Sequence, residues 1–97
     1  MLIIGEKLNG FIPAVGRAIK ARDEAFLISL AKAQEEAGAE YLDVCAAVDN
    51  DVEIETLQWL IRLAEDNTSL PVCIDSPNPQ AIAAVIGSCT REGVVNS

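Results

Sequence analysis

The sequence predicts an α/β fold with a parallel sheet, read as the N-terminal half of a TIM-type (β/α)8 barrel. Three observations lead there. Short β-branched runs alternate with longer segments of helical period, the helical segments carry their own start and stop residues, and each strand ends in a polar side chain.

The strands are expected at Leu2-Ile3-Ile4, Tyr41 to Cys45, Pro71 to Ile74 and Gly93-Val94-Val95, each a short run of the kind that buries both faces in a parallel sheet. A short helix is expected from Pro13 to Lys20. The next has Asp23 as N-cap, Phe26, Leu27, Leu30, Ala31 and Ala37 on one face, and Gly38 as its stop. A third runs from about Asp51 to Glu65, with Ile54, Leu57, Leu60, Ile61 and Ala64 on one side and Asp51, Glu53 and Glu55 gathered where the helix dipole favours acids. A fourth opens at Asn78-Pro79, an N-cap followed by the residue best suited to the first helical position, and continues through Ile82, Val85 and Ile86.

Strand-helix alternation suits either an open doubly wound sheet or a barrel, and the turn after the first strand separates them. Gly5-Glu6-Lys7-Leu8-Asn9-Gly10 contains glycines but lacks the spacing of a dinucleotide-binding turn, which favours the barrel. Such a barrel takes about 250 residues. The 97 residues hold four strands and three to four helices, so residues 1–97 are read as one partial barrel domain, truncated after its fourth strand.

A 51% hydrophobic and 23% charged composition is that of an ordinary globular domain. Its apolar runs fall short of the ~20 residues of a membrane helix, and the Met1 end lacks the features of a signal peptide, so no membrane association and a cytoplasmic location are expected. Fifteen acids against 7 bases give a net charge of -8, which offers no positive field for nucleic acid. Cys45, Cys73 and Cys89 are spaced neither as a disulfide framework nor as zinc ligands, and read as small buried hydrophobes. With no histidine in the chain, no metal site is expected, and chemistry here falls to carboxylates and amides.

Alternation along the strands groups Ile4 with Glu6, Asp43 with Cys45, Cys73 with Asp75 and Val94 with Asn96 on the inner face, leaving apolar side chains toward the helices. Four polar residues, Glu6, Asp43, Asp75 and Asn96, then stand at the C-terminal ends of four strands, where a barrel builds its site. Bland roles compete with this one. Asp43 could be satisfied by backbone amides, Glu6 by Lys7 or Arg17, Asp75 could cap the following helix, and Asn9 reads best as a turn residue. A carboxylate beside a carboxamide suits a flat heterocycle with adjacent N–H donors and a carbonyl, a pterin, purine or pyrimidine alike.

The segments Leu2-Ile3-Ile4-Gly5-Glu6-Lys7-Leu8-Asn9-Gly10, Tyr41-Leu42-Asp43-Val44-Cys45-Ala46, Cys73-Ile74-Asp75-Ser76-Pro77-Asn78 and Val94-Val95-Asn96-Ser97 together resemble the pterin-binding methyltransferases. That family includes the methyltetrahydrofolate:corrinoid methyltransferases, the folate domain of cobalamin-dependent methionine synthase and, more distantly, dihydropteroate synthase, whose first loop Gly10-Phe11-Ile12-Pro13 does not match. The resemblance implies transfer of a methyl group between the N5 of tetrahydrofolate and a corrinoid (cobalamin) carried by a partner protein. It puts Asp75 and Asn96 on positions that hydrogen-bond the pterin ring, with Glu6 and Asp43 in the same pocket. Later pocket residues fall beyond Ser97, so catalytic residues are unassigned and these 97 residues alone are expected to be inactive. A dihydropteroate synthase-like enzyme and a non-catalytic assembly module are the alternatives. The open edges of the half-barrel, with Ile4, Cys73 and Val94 facing water, lead us to expect a homo-oligomer.

Overall fold

The computed structural model describes residues 4–89 and 94–96. In chain order they form β1 (Ile4–Asn9), α1 (Pro13–Ala21), α2 (Glu24–Glu36), β2 (Tyr41–Cys45), α3 (Asn50–Asn67), β3 (Val72–Asp75), α4 (Pro79–Val85), a 3-10 turn (Ile86–Ser88) and β4 (Val94–Asn96). The strands pair in parallel in the order β1-β2-β3-β4. The α/β class and the parallel sheet are thus as the sequence predicts, while Leu2, Ile3 and Gly93 lie outside the described residues.

One face of the sheet is closed by helices. Leu8, Leu42, Val44, Val72 and Ile74 point there and are fully buried, packed with Leu27 of α2, Leu57, Leu60 and Ile61 of α3 and Val85 of α4. Each such side chain contributes roughly 1.5–3 kcal/mol by leaving water, so this layer carries most of the fold's stability.

The helix boundaries follow their caps. Pro13 opens α1, and the helix closes at Arg22 in the left-handed region (φ 54°). The Arg22 guanidinium lies 4.3 Å from the centre of the Trp59 ring and 3.7 Å from Glu55, fastening the α1–α2 corner to α3. Asp23 caps α2 by accepting from the Phe26 amide at 3.2 Å, and Gly38 follows the helix at φ +96°, a conformation its missing Cβ permits. Asn78 caps α4 through the Gln80 amide at 3.1 Å.

The structure departs from the sequence reading in four places. β1 continues to Asn9 through residues expected to form a turn, because a bulge keeps the strand paired with β2. On α2 the buried stripe is Leu27, Ala31 and Gln34, with Phe26 exposed and Ala37 serving as C-cap. On α3 the buried stripe includes Glu53 rather than Ile54, which is exposed; Glu53 lies one helical repeat before Leu57 and finds a hydroxyl partner in the core. Cys73, expected to face water, is only 3% exposed, in a central strand flanked at its level by Asp43 on β2 and Val94 on β4.

Candidate functional site

The face of the sheet away from the helices carries the polar residues. Leu42 and Val44 of β2 and Val72 and Ile74 of β3 are buried on the helix side, so Asp43, Cys45, Cys73 and Asp75 project from the opposite side. Asp43 pairs with Cys73, and Asp75 with Asn96 of β4. The side chain of Asn96 lies outside the described residues, but the strand register sets its backbone level with Asp75.

β1 reaches the same face by a less regular route. Gly5 pairs with Leu42 and Leu8 with Val44, so three steps on β1 match two on β2, and the extra residue lies at Glu6-Lys7. Beyond the bulge Leu8 faces the helices and Asn9, level with Cys45, takes the inner face. Asn9 also acts as the turn residue the sequence suggests, its Oδ1 accepting from the Phe11 amide at 2.9 Å. Glu6 is exposed, and among the described residues neither Lys7 nor Arg17 forms an ion pair with it.

Glu6, Lys7, Asn9, Ile12, Asp43 and Asp75 border one concavity of about 710 Å³, which Gly5 and, from the α2 side, Gln34, Ala37 and Ala39 also line. That volume falls in the range of small-molecule sites. Three of the four residues singled out from the sequence therefore meet at one cavity, and the fourth is set beside it by strand register.

Burial pushes the Asp43 carboxyl above its ordinary 3.8, and the negative charges of Asp75 and Glu6 act in the same direction. The Cys73 thiol and the Val44 amide, donating to the carboxylate, oppose that shift without cancelling it. Oδ1 of Asp43 remains buried without a hydrogen-bond partner, so backbone amides do not account fully for this residue. Burial and the adjoining Asp43 push the Cys73 thiol up to about 11, and Cys45 is raised by burial and by Asp75. Both thiols are neutral at physiological pH and act as packing, not as nucleophiles.

The loop that follows Asp75 is anchored from below. Glu53 of α3, 5% exposed, accepts from the Ser76 hydroxyl at 2.7 Å, and the Ser76 oxygen in turn accepts from the Asn78 amide at 3.0 Å. Ser76 and Asn78 thus do the capping work, leaving Asp75 directed to the cavity. The sequence places Glu53 where the helix dipole favours acids, while its position one repeat before Leu57 is the sign of its burial. Gln34 is absent from the residues the sequence singles out, and its place three residues after Ala31 on the apolar stripe of α2 is the signal for it.

The chain is 50% identical over all 97 residues to the methylcorrinoid:tetrahydrofolate methyltransferase of Eubacterium limosum. The chain resembles that methyltransferase family along its whole length. It spans 36% of the length of this relative. No family model matches the chain. Identity at this level over every described element makes the fold common to both, so the inner-face row of β1 to β4 corresponds to one part of that enzyme. Among the described residues no helix is long and apolar enough to cross a membrane.

Proposed function

We propose that this chain forms the first part of a (β/α)8 barrel that binds tetrahydrofolate on the inner face of the sheet and moves a methyl group between the folate N5 and a corrinoid carried by a partner protein. The observation that carries this reading is the convergence of Asp43, Asp75 and the Asn96 register position at the C-terminal ends of adjacent parallel strands, in a chain half identical to an enzyme named for that transfer. Four parallel strands in sequential order are what half of such a barrel requires, and the C-terminal strand ends are where barrels place their sites.

The residues divide the work by chemistry. The Asp75 carboxylate accepts two parallel N–H bonds from the pterin edge, and the Asn96 carboxamide supplies a donor and an acceptor next to it. Asp43, whose buried carboxyl has a raised pKa, holds a proton more readily than an ordinary aspartate and limits the build-up of charge beneath the ring. Glu6 stands at the rim of the same cavity. The corrinoid supplies or takes the methyl group. Its partner protein meets the rim at the C-terminal strand ends, where Phe11, 75% exposed, Ile12 and Val52 offer apolar surface. A histidine acid is not needed, because the amine N5 can be served by hydrogen bonds.

Calorimetry on the full-length protein tests the reading. Asp75→Ala is expected to weaken tetrahydrofolate binding by roughly 1.5–3 kcal/mol, the scale for hydrogen bonds to a charged group, and Asn96→Ala by about 0.5–1.5 kcal/mol. Wild-type protein that binds no tetrahydrofolate, or an Asp75→Ala variant of unchanged affinity, would refute it. Methyl transfer from free methylcobalamin to tetrahydrofolate, followed by the loss of the methylcobalamin absorbance, checks the reaction itself.

A further inference from the structure

We propose that Gln34, a residue of α2 at the β1 end of the same cavity, is a positioning residue for the site: its side-chain amide holds the bulge in β1 that turns Asn9 onto the inner face. The proposal rests on the reading of that face as the tetrahydrofolate site, and adds Asn9 to the residues that face the ligand.

The argument begins with parity. Gly5 pairs with Leu42, a helix-facing residue. In an unbroken strand the side chains at 5, 7 and 9 share one face, which would send Asn9 toward the helices and Leu8 into the polar cavity. One additional residue reverses both. Leu8 becomes level with Val44 and fully buried, and Asn9 becomes level with Cys45 and borders the cavity with Asp43 and Asp75.

A bulge takes a main-chain amide out of the ladder, and a buried N–H without an acceptor is costly. The Lys7 amide donates to Gln34 Oε1 at 2.9 Å, across 27 residues of sequence. Gln34 is itself buried, and its Nε2 donates to the Leu30 carbonyl at 3.4 Å, which orients the amide with its oxygen toward β1. Gly5 makes room for this contact: a Cβ at that position would stand 2.6 Å from Gln34 Oε1. A buried amide, a bulge and a glycine from two distant segments therefore describe one device, and its product is the orientation of Asn9.

A residue that only fastens α2 to the sheet would affect stability without regard to Asn9, so the test is a double-mutant cycle in the full-length protein. Gln34→Met keeps the length of the side chain and removes the acceptor. Tetrahydrofolate affinity measured by calorimetry should fall about 2- to 10-fold, the scale of one neutral hydrogen bond, and Asn9→Ala should do the same. In the Asn9→Ala background Gln34→Met should add no further loss, because both changes remove the same contact. Gln34→Glu, which retains an acceptor oxygen, should recover part of the affinity. Gly5→Ala provides an independent perturbation if Gln34→Met fails to fold, and should show the same lack of additivity with Asn9→Ala. Unchanged affinity in a folded Gln34→Met or Gly5→Ala protein, or full additivity with Asn9→Ala, overturns the positioning role while leaving the site intact. Wild-type protein without affinity for tetrahydrofolate overturns the site and this proposal with it.

Discussion

At Asp43 burial and the neighbouring charges of Asp75 and Glu6 both disfavour ionisation, so the folded state holds its proton more tightly than the unfolded chain does. The consequence for stability has a definite sign. Protonation of Asp43 favours folding, the benefit is complete below the ordinary carboxylate value of 3.8, and it is lost as the pH rises through the higher folded-state value. Asp43→Asn removes the charge and keeps an acceptor for the Cys73 thiol. The variant is expected to be more stable than wild type at neutral pH, with the difference shrinking as the pH is lowered toward 3.8. Urea melts of both proteins over that interval check it; a wild type as stable as the variant at neutral pH would show that the buried carboxylate has a partner in solution. This residue could be picked out in the sequence from the period of its strand, but its electrostatic state could not, because Asp75, Glu6 and Cys73 come from other parts of the chain.

Among the elements, those governed by local chemistry were the most legible. Asp23 and Asn78 cap their helices through amides two or three residues ahead, and Gly38 stops α2, all within reach of a few neighbouring residues. Asp23→Ala should therefore cost about 1 kcal/mol of global stability, the usual price of a lost N-cap, with no change in tetrahydrofolate affinity. Chemical denaturation and calorimetry on the same variant measure both. β1 is the contrasting case. Its sequence reads as a strand ending near Ile4 followed by a glycine-bounded turn, whereas the strand persists to Asn9 because β2 and Gln34 satisfy its backbone from outside. The buried stripe of α3 shows the same dependence, since one carboxylate oxygen of Glu53 meets the Ser76 hydroxyl from a distant loop.

For the whole molecule, the sheet order leaves β1 and β4 as edges. The bulge and the exposed Glu6 and Lys7 make β1 a poor template for pairing, a common protection of edge strands, while β4 is a short edge two strands from β2. The outer side of β4 remains unpaired, and through that edge a polypeptide of these 97 residues alone is expected to self-associate, and to show little methyl-transfer activity. Light scattering after size exclusion measures the first, and a monodisperse monomer at micromolar concentration would contradict it. Of the inner-face residues expected to meet water in the half-barrel, Cys73 is only 3% exposed.

What the amino-acid sequence determined without help is the alternation of strands and helices, the parallel order it imposes, the caps, and the polar residues at the strand ends, because each depends on periodicity or on neighbours a few positions away. The tertiary structure alone decided the register of β1, the inward turn of Asn9, the burial of Glu53, and the charge environment of Asp43. Each of these is a contact between residues far apart in the chain, as in the bond from Lys7 to Gln34 or from Ser76 to Glu53. A two-residue period predicts which face a side chain takes only until one residue is inserted, and whether that insertion is stable depends on an acceptor that the local sequence does not contain.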